Sequence, residues 1–440
     1  MIPLSTGEIA ELTGAETGEE AVVRGVTTDS RQVEEGDLFV ALQGTRTDGS
    51  EYVDQALAGG AAAALVSREH AGPRRIAVDD PLLALGEIAA EVRRRSDAVV
   101  VAVTGSTGKT STKDILHALL APHLTTVASR ENENNELGVP LTVCRIDPGT
   151  GAVVAELAMR GLGQIAYLSR IVQPRIAIIT GIGPVHLELL GSIENVAAAK
   201  AEVLADLEPS GTAVVPYGEP LLAPHLRRRD IRVVTFGEQA AADVRLDALR
   251  RRSLTDGEAE ITLHGRTITL PVNFTSHHNA LNLAAAVAAY DAAGLPLGEA
   301  ARGSAAVQFS RWRGETLELP GGGLLIADCY NANPTSMRAA ARHLADVADG
   351  RRTVAVLGDM AEIGDGAEEH HRLLAGDLQA LGIDDVVAIG PLSQAYGGDW
   401  FATVDDAVDA LPALVEPGDA VLVKGSRSMG LEAVVEALLP

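Results

Sequence analysis

Short apolar runs, four to eight residues long and bounded by Gly, Pro, Asp or Ser, recur along the whole chain. The first stretch holds "AVVRGVTTD" (21–29), "DLFVAL" (37–42), "AALV" (63–66) and "RIAV" (75–78), separated by alanine-rich runs. A strongly apolar run, "AVVVAVTG" (98–105), then passes straight into a glycine-rich turn and a helical pattern. "TVAS", "AVVAEL", "IAIITGIG", "TAVVP" and "IRVVTFG" follow between residues 126 and 237. A hairpin-like piece, "AEITLHGRTITLPV" (259–272), precedes the helical run "HHNALNLAAAVAAYDAAG" (277–294). After residue 311 the alternation resumes with "GLLIAD", "RTVAVLGD", "DVVAIG" and "DAVLVKG", each leading into a helix-like run. Continuous apolar strands alternating with helices predict parallel sheets covered on both faces. At 440 residues the chain exceeds one comfortable core. The pattern therefore predicts an α/β protein of three domains, 1–96, 97–310 and 311–440. The central one is a P-loop-type parallel sheet and the last is Rossmann-like.

Composition sharpens this in three ways. Aromatic residues make up only 3% of the chain, so the cores must be built from Ala, Val, Leu and Ile. The formal charge of −24 argues against nucleic acid or an anionic membrane surface as a partner. An anionic substrate must then be held by local devices such as glycine loops, helix N-termini, a few arginines and a metal. Cys144 and Cys329 make no disulfide framework. The segment "MIPLSTGEIAELTG" has neither a basic nor an apolar leader region, and no run approaches the ~18 apolar residues of a membrane span. The expectation is a cytoplasmic protein with no membrane insertion.

In open parallel sheets, ligands bind beyond the carboxyl ends of the strands, so the residues just after each strand carry the candidate chemistry. "TGSTGKTST" supplies a short G-x-x-G-K-T, from Gly105 to Thr110, between a strand and a helix. The amides of Gly105, Ser106, Thr107 and Gly108 can wrap a phosphate at the positive end of the helix. Lys109 would reach the β- and γ-phosphates and the Thr110 hydroxyl would ligate Mg²⁺. Lys113, one turn on, reads as a solvated helix residue. Glu156 ends "GAVVAE", where a carboxylate at a buried strand tip calls for a cation and suits Mg²⁺. His186 follows the next strand. Lys200 is one of only four lysines among 36 basic residues, and it lies in the alanine-rich "IENVAAAKAEVLADL". What lysine offers over arginine is a compact amine whose pKa falls on burial. Such an amine can act as a base, form a Schiff base or take up CO₂ as a carbamate. The residues alone leave open a P-loop nucleotide switch or a plain ATP-binding module.

Taken in order, "TGSTGKTST", "NNELGVPLT" (134–142), "AELAMRGLGQIAYL" (155–168), "GIGPVHLELLGSIENVAAAKAEV" (181–203), "HNALNLAAA" (278–286), "DCYNANPTSMRAA" (328–340), "AVLGDMAEIG" (355–364) and "VLVKGSRSM" (421–429) resemble the Mur ligases. These are the ATP-dependent amide ligases of peptidoglycan precursor synthesis. Within the family, "YNANP" resembles the branch that adds D-alanyl-D-alanine to UDP-MurNAc-tripeptide rather than a single amino acid. The opening "TTDSRQVEEGDLFVALQGTRTDGSEYV" is similar to the family's UDP-sugar-binding start.

The resemblance implies ATP and Mg²⁺ as cofactors, the tripeptide nucleotide and D-alanyl-D-alanine as substrates, and a monomer. It makes 1–96 the UDP-sugar domain, 97–310 the ATP domain and 311–440 the domain for the incoming dipeptide. Ser30 and Arg31, with the loop from Gly44 and Thr45 to Gly49, would hold uridine and pyrophosphate. Asn134 and Asn135 would lie on the substrate side. His186 and a carbamylated Lys200 would hold a second Mg²⁺ beside the one on Thr110 and Glu156. Arg313, in preference to Arg311, would cross to the γ-phosphate. Asn282 would face adenine with His278 and Asn279 nearby, and Asp328 would touch the ribose or organise Lys109. Asn331, Asn333, Asp359, Lys424 and Ser426 would line the dipeptide side. A hinge is expected near 305–315, with a large closing motion.

Overall fold

The computed structural model describes residues 1–15, 19–44 and 47–439. Three main sheets follow one another along the chain. The first has four parallel strands in spatial order Gly25–Thr27, Asp37–Val40, Ala63–Ser67 and Arg75–Val78. The second has nine. Its parallel part runs Thr126–Ala128, Ala152–Glu156, Val99–Thr104, Ile176–Ile179, Thr212–Pro216 and Arg232–Gly237. Val244–Arg251 continues it in parallel, and Gly257–Leu263 and Arg266–Val272 then each run antiparallel to the strand before. The third has six strands, with Glu315–Leu319 as an antiparallel edge beside Gly323–Ala327, Ala420–Lys424, Thr353–Gly358, Asp385–Ile389 and Asp399–Phe401.

The position of Val99–Thr104 organises the central sheet. The next two strands in sequence are added on one side of it, and those from Ile176 onward on the other. The order reverses there, which opens a crevice at its carboxyl end. The glycine turn at 105–108 stands in that crevice. Four strands of this sheet, starting at Ala152, Ile176, Thr212 and Val99, are almost wholly buried. Helix His277–Ala292 is buried nearly all round, because alanine lets it pack closely against both the sheet and helix Lys109–Leu120. Tyr290, fully buried, finds a partner for its hydroxyl in His123 Nε2 at 3.0 Å.

The polar piece at 259–272 is a hairpin, turned by His264 and Gly265 at φ 49° and 71°. A two-residue turn with both φ positive matches the strand twist. Its partner strand Val244–Arg251 ("VRLDALRR") was not anticipated, since it is half charged and bulged between Leu246 and Ala248.

The chain passes from the second sheet to the third at 311–314. Before that point it is pinned to the central sheet: Ser310 N donates to Asp114 Oδ2 at 2.8 Å and Asn273 Nδ2 to Val307 O at 2.7 Å. The turn itself uses Trp312 at φ 63° and Gly314 at φ 77°. The two sheet domains also meet where Arg251 pairs with Asp349 and where the His278 and His343 rings stand edge to face, 6.2 Å apart.

Burial, reinforced by His278, pushes the His343 imidazole down to about 3, and burial, reinforced by Lys424, pushes His278 down to about 4. An unfolded histidine titrates near ~6.5. As pH falls, the unfolded chain therefore takes up these protons first. The stability is fully present above pH ~6.5 and is lost on the way down to about 4 and about 3. His343 Nδ1 has no hydrogen-bond partner. We expect His343→Leu to keep the thermal midpoint at neutral pH and to flatten its decline in acid, measured by scanning unfolding across this range.

Candidate active site

A cleft of about 1250 Å³ lies where the second and third sheets face each other. Its floor is the turn between strand Val99–Thr104 and helix Lys109–Leu120. Gly105 and Gly108 have φ 143° and 77°, and a Cβ at either would come within 2.5 Å of a neighbour: Thr180 Oγ1 at the first, Asn282 Oδ1 at the second. Only glycine lets these side chains approach the backbone of the turn so closely. Ser106 fastens the turn to the next strand's loop: its N donates to Gly181 O and its Oγ accepts from Gly183 N, both at 2.9 Å. Lys109 Nζ donates to Gly105 O at 3.0 Å, so the amine lies over the turn. Burial lowers its pKa; Glu156 opposes this and Arg313 adds to it.

Glu156 is 1% exposed at the end of its strand. Its Oε1 accepts from Asn134 Nδ2 at 2.9 Å, whereas its Oε2 has no hydrogen-bond partner. A buried carboxylate oxygen with an empty valence faces a large desolvation cost unless a cation meets it. Thr110, at the helix start, lines the same cleft. Among the described residues no group of three or more His, Cys, Asp and Glu converges as a closed metal cage. The Thr110 hydroxyl and the unpartnered Glu156 oxygen are hard oxygen donors, of the kind Mg²⁺ prefers. The donor set is thus suited to it.

His186 adopts φ 52° just after the loop that follows strand Ile176–Ile179, and it lines the cleft. Lys200 is 1% exposed, on helix Ile193–Ala201. Burial, reinforced by Lys109 and opposed by Glu156 and Glu202, lowers its pKa well below the usual lysine value. Among the described residues its Nζ forms no hydrogen bond or ion pair.

The third sheet closes the cleft. Arg313 stacks over the Tyr330 ring, 3.8 Å from its centroid, and its buried Nε lacks a partner. Arg311 instead stands exposed, 4.6 Å over Trp312, and does not line the cleft. Lys424, 2% exposed, donates to Asp328 Oδ2 at 2.7 Å and to Asn331 O at 2.9 Å. Asp328 is therefore paired with Lys424, and this corrects the expectation that it organises Lys109. Asn333 caps helix Pro334–Val347, its Oδ1 accepting from Ser336 N at 3.0 Å. Asn282 lines the cleft and donates to the buried Asn279 at 3.1 Å.

Other expected residues stand elsewhere. Lys113 is 3% exposed, not solvated: its Nζ donates to Ser129 O at 3.0 Å and lies 2.8 Å from Asp114 Oδ1. The helix turns this face onto strand Thr126–Ala128, and the pair neutralises itself there. Asp359 Oδ1 accepts from Leu392 N and Ser393 N, which commits it to a loop. Ser426 lines the cleft, but its Oγ accepts from Ala361 N at 2.8 Å. Asn135 lines the cleft too, and its Oδ1 accepts from Gly138 N at 2.9 Å. Ser30, Arg31 and Gly44 lie on the first sheet's loops, outside the cleft: Arg31 is 81% exposed and paired with Asp29, and Gly44 N donates to Thr47 O. Thr45 lies outside the described residues.

Three family models match the chain in order. They are the Mur ligase family catalytic domain over residues 22–93, the Mur ligase middle domain over 103–290 and the Mur ligase glutamate ligase domain over 312–427. The UDP-N-acetylmuramoyl-tripeptide–D-alanyl-D-alanine ligase of Bacillus subtilis is 34% identical over 436 residues, which span 96% of this chain and 94% of that protein. The chain belongs to the Mur ligase family. Among solved Mur ligases, a crystal structure of MurF from Acinetobacter baumannii superposes with a TM-score of 0.91 at 32% identity, covering 99% of this chain and 98% of that one. MurF ligase from Thermotoga maritima, solved in complex with ADP, superposes at 0.84 with 28% identity over 94% and 97% of the two chains. The α/β fold with parallel sheets is thus the Mur ligase fold.

Proposed function

We propose that this Mur ligase joins D-alanyl-D-alanine to the terminal carboxylate of UDP-MurNAc-tripeptide at the expense of ATP. The observation that carries this reading is the convergence, in one cleft, of the glycine turn, the unpartnered Glu156 Oε2 and Arg313 arriving from the third sheet. The full-length likeness to ligases of that name, and to one solved with ADP, supports it.

An amide bond between a carboxylate and an amine in water needs an activated carboxylate. Transfer of the γ-phosphoryl group from ATP to the carboxylate oxygen gives an acyl phosphate and ADP. The dipeptide amine adds to the acyl carbon, a proton is lost, and the tetrahedral adduct expels phosphate. Phosphoryl transfer leaves the protein mostly positioning and charge neutralisation to do. The turn amides and Lys109 hold the β- and γ-phosphates. Thr110 and Glu156 would hold one Mg²⁺, and His186 with a carbamylated Lys200 would hold a second. Bound there, Mg²⁺ neutralises charge between two anions that must approach each other. Arg313 presents its guanidinium to the transferring group, with Tyr330 fixing its plane. Asn282, beside Gly108, faces the adenine side, and Asn331 and Asn333 line the dipeptide side. Ser30, Arg31 and the loop from Gly44 remain the proposed UDP contacts on the first sheet. The chain acts as a monomer in the cytoplasm in this reading. Among the described residues no helix is long and apolar enough to cross a membrane.

The test is phosphate release from ATP and Mg²⁺ with UDP-MurNAc-tripeptide, with and without D-alanyl-D-alanine. Release that requires the dipeptide is expected. Equal release without it would leave an ATPase and remove the ligase assignment. Release driven equally well by a single amino acid would point to a different member of the family.

A further inference from the structure

Glu362 reaches across the boundary between the second and third sheets. Its Oε2 lies 2.7 Å from His186 Nδ1, at ion-pair distance though not in hydrogen-bond geometry, and its Oε1 lies 3.7 Å from an Arg160 guanidinium nitrogen. Glu362 follows strand Thr353–Gly358 of the third sheet, whereas Arg160 and His186 follow two strands of the second. Both ends of this contact carry left-handed backbone, φ 62° at Glu362 and 52° at His186. Such residues persist where the surroundings over-determine them.

The surroundings here do so. Ala361 N donates to Ser426 Oγ at 2.8 Å, Met360 N to His371 Nε2 at 3.0 Å, and Ser426 N to Asp359 O at 3.0 Å. Two residues past Glu362, a Cβ on Gly364 would lie 3.3 Å from the Glu188 backbone. The loop is therefore seated against the segment that holds His186. Nothing in the activity assigned above uses Glu362.

We infer that Glu362 is a positioning residue that couples docking of the third sheet to the orientation of His186. With Nδ1 against a carboxylate, Nε2 is the nitrogen left for a cation, and an outer carboxylate both orients a ligating imidazole and raises its basicity. The second cation site is then complete only when the two domains are docked. This ties cation binding to closure of the cleft. The inference rests on the reading of His186 as a cation ligand.

The test uses Mn²⁺ as probe, with the full-length protein and a non-hydrolysable β,γ-methylene ATP analogue, reading free Mn²⁺ by electron paramagnetic resonance. Glu362→Ala is expected to weaken Mn²⁺ binding about 10-fold or more, and the isosteric Glu362→Gln less. His186→Ala should weaken it at least as much, and the double variant should lose no more than His186→Ala alone. Thermal midpoints identify any variant that fails to fold, and Glu362→Gln then decides. Weakening by His186→Ala but not by Glu362→Ala or Glu362→Gln would overturn this inference and leave His186 a ligand. Additive losses in the double variant would overturn it as well. Mn²⁺ binding indifferent to His186→Ala would remove both readings.

Discussion

Lys200→Arg is expected to lower ligation by about 10²–10³-fold while leaving the fold intact. The side chain is 1% exposed and has Lys109 and Glu156 as its charged neighbours. Its lowered pKa leaves a fraction of the amine neutral, and a neutral amine adds to CO₂ to give an anionic carbamate oxygen. In the proposed function that anion would relieve the repulsion from Lys109 and would supply a hard ligand beside His186. Arginine keeps the positive charge, cannot form the carbamate and carries a longer planar head into a filled site. Lys200→Ala should fail similarly and recover part of its rate when acetate is added, because a free carboxylate can occupy the vacated space. Steady-state phosphate release with bicarbonate, and then with acetate, measures both effects. Full activity in Lys200→Arg would leave the residue as a buried lysine of structural use only.

The second large effect is expected at Arg313. Removing an arginine that meets the transferring phosphoryl group costs about 10³-fold or more in turnover. Arg313→Ala should therefore lower kcat by that order and raise KM for ATP little. Arg313→Lys should recover only part of the loss, since lysine keeps the charge but neither forks to two oxygens nor stacks on Tyr330. Arg311→Ala is the control. Arg311 is exposed and stacked on Trp312, so its removal should leave the rate close to that of the unsubstituted enzyme. Equal losses at the two positions would reassign the arginine that faces the nucleotide.

Much of this architecture was readable from local pattern, because local pattern is what determines it. The runs at 98–105, 152–157 and 176–183 hold the buried strands Val99–Thr104, Ala152–Glu156 and Ile176–Ile179, and the cleft residues Ser106, Glu156 and Thr180 stand at or just past their ends. The glycine turn follows the first of these strands, Glu156 ends the second, and His186 stands beyond the loop after the third. Val244–Arg251 lacks such an apolar run, because half its residues are charged even though it is paired on both sides in the sheet. Lys113 was misread for a related reason: its helix buries a second face against Thr126–Ala128, and periodicity does not identify which polar residue will be paired there.

Contacts between residues far apart in the chain were the least readable. Asp328 and Lys424 are 96 positions apart and meet only because their strands are neighbours in the third sheet. Glu362 lies in "GDMAEIG", just beyond a strand end. Its left-handed backbone and its partner His186 follow from the docking of two sheets, which no spacing in the chain encodes. The distinction has a practical side. Residues found from strand ends are those to which the proposed function gives the phosphate and cation chemistry. Those found only in the folded molecule align that chemistry across the cleft.

The central claim is carboxylate activation by phosphoryl transfer, and isotope position tests it most directly. UDP-MurNAc-tripeptide labelled with ¹⁸O in its terminal carboxylate is incubated with ATP, Mg²⁺ and D-alanyl-D-alanine, and the released phosphate is weighed by mass spectrometry. One labelled oxygen in each phosphate formed is the predicted result. Unlabelled phosphate, with amide product accumulating, would contradict an acyl phosphate and require another route of activation in this cleft.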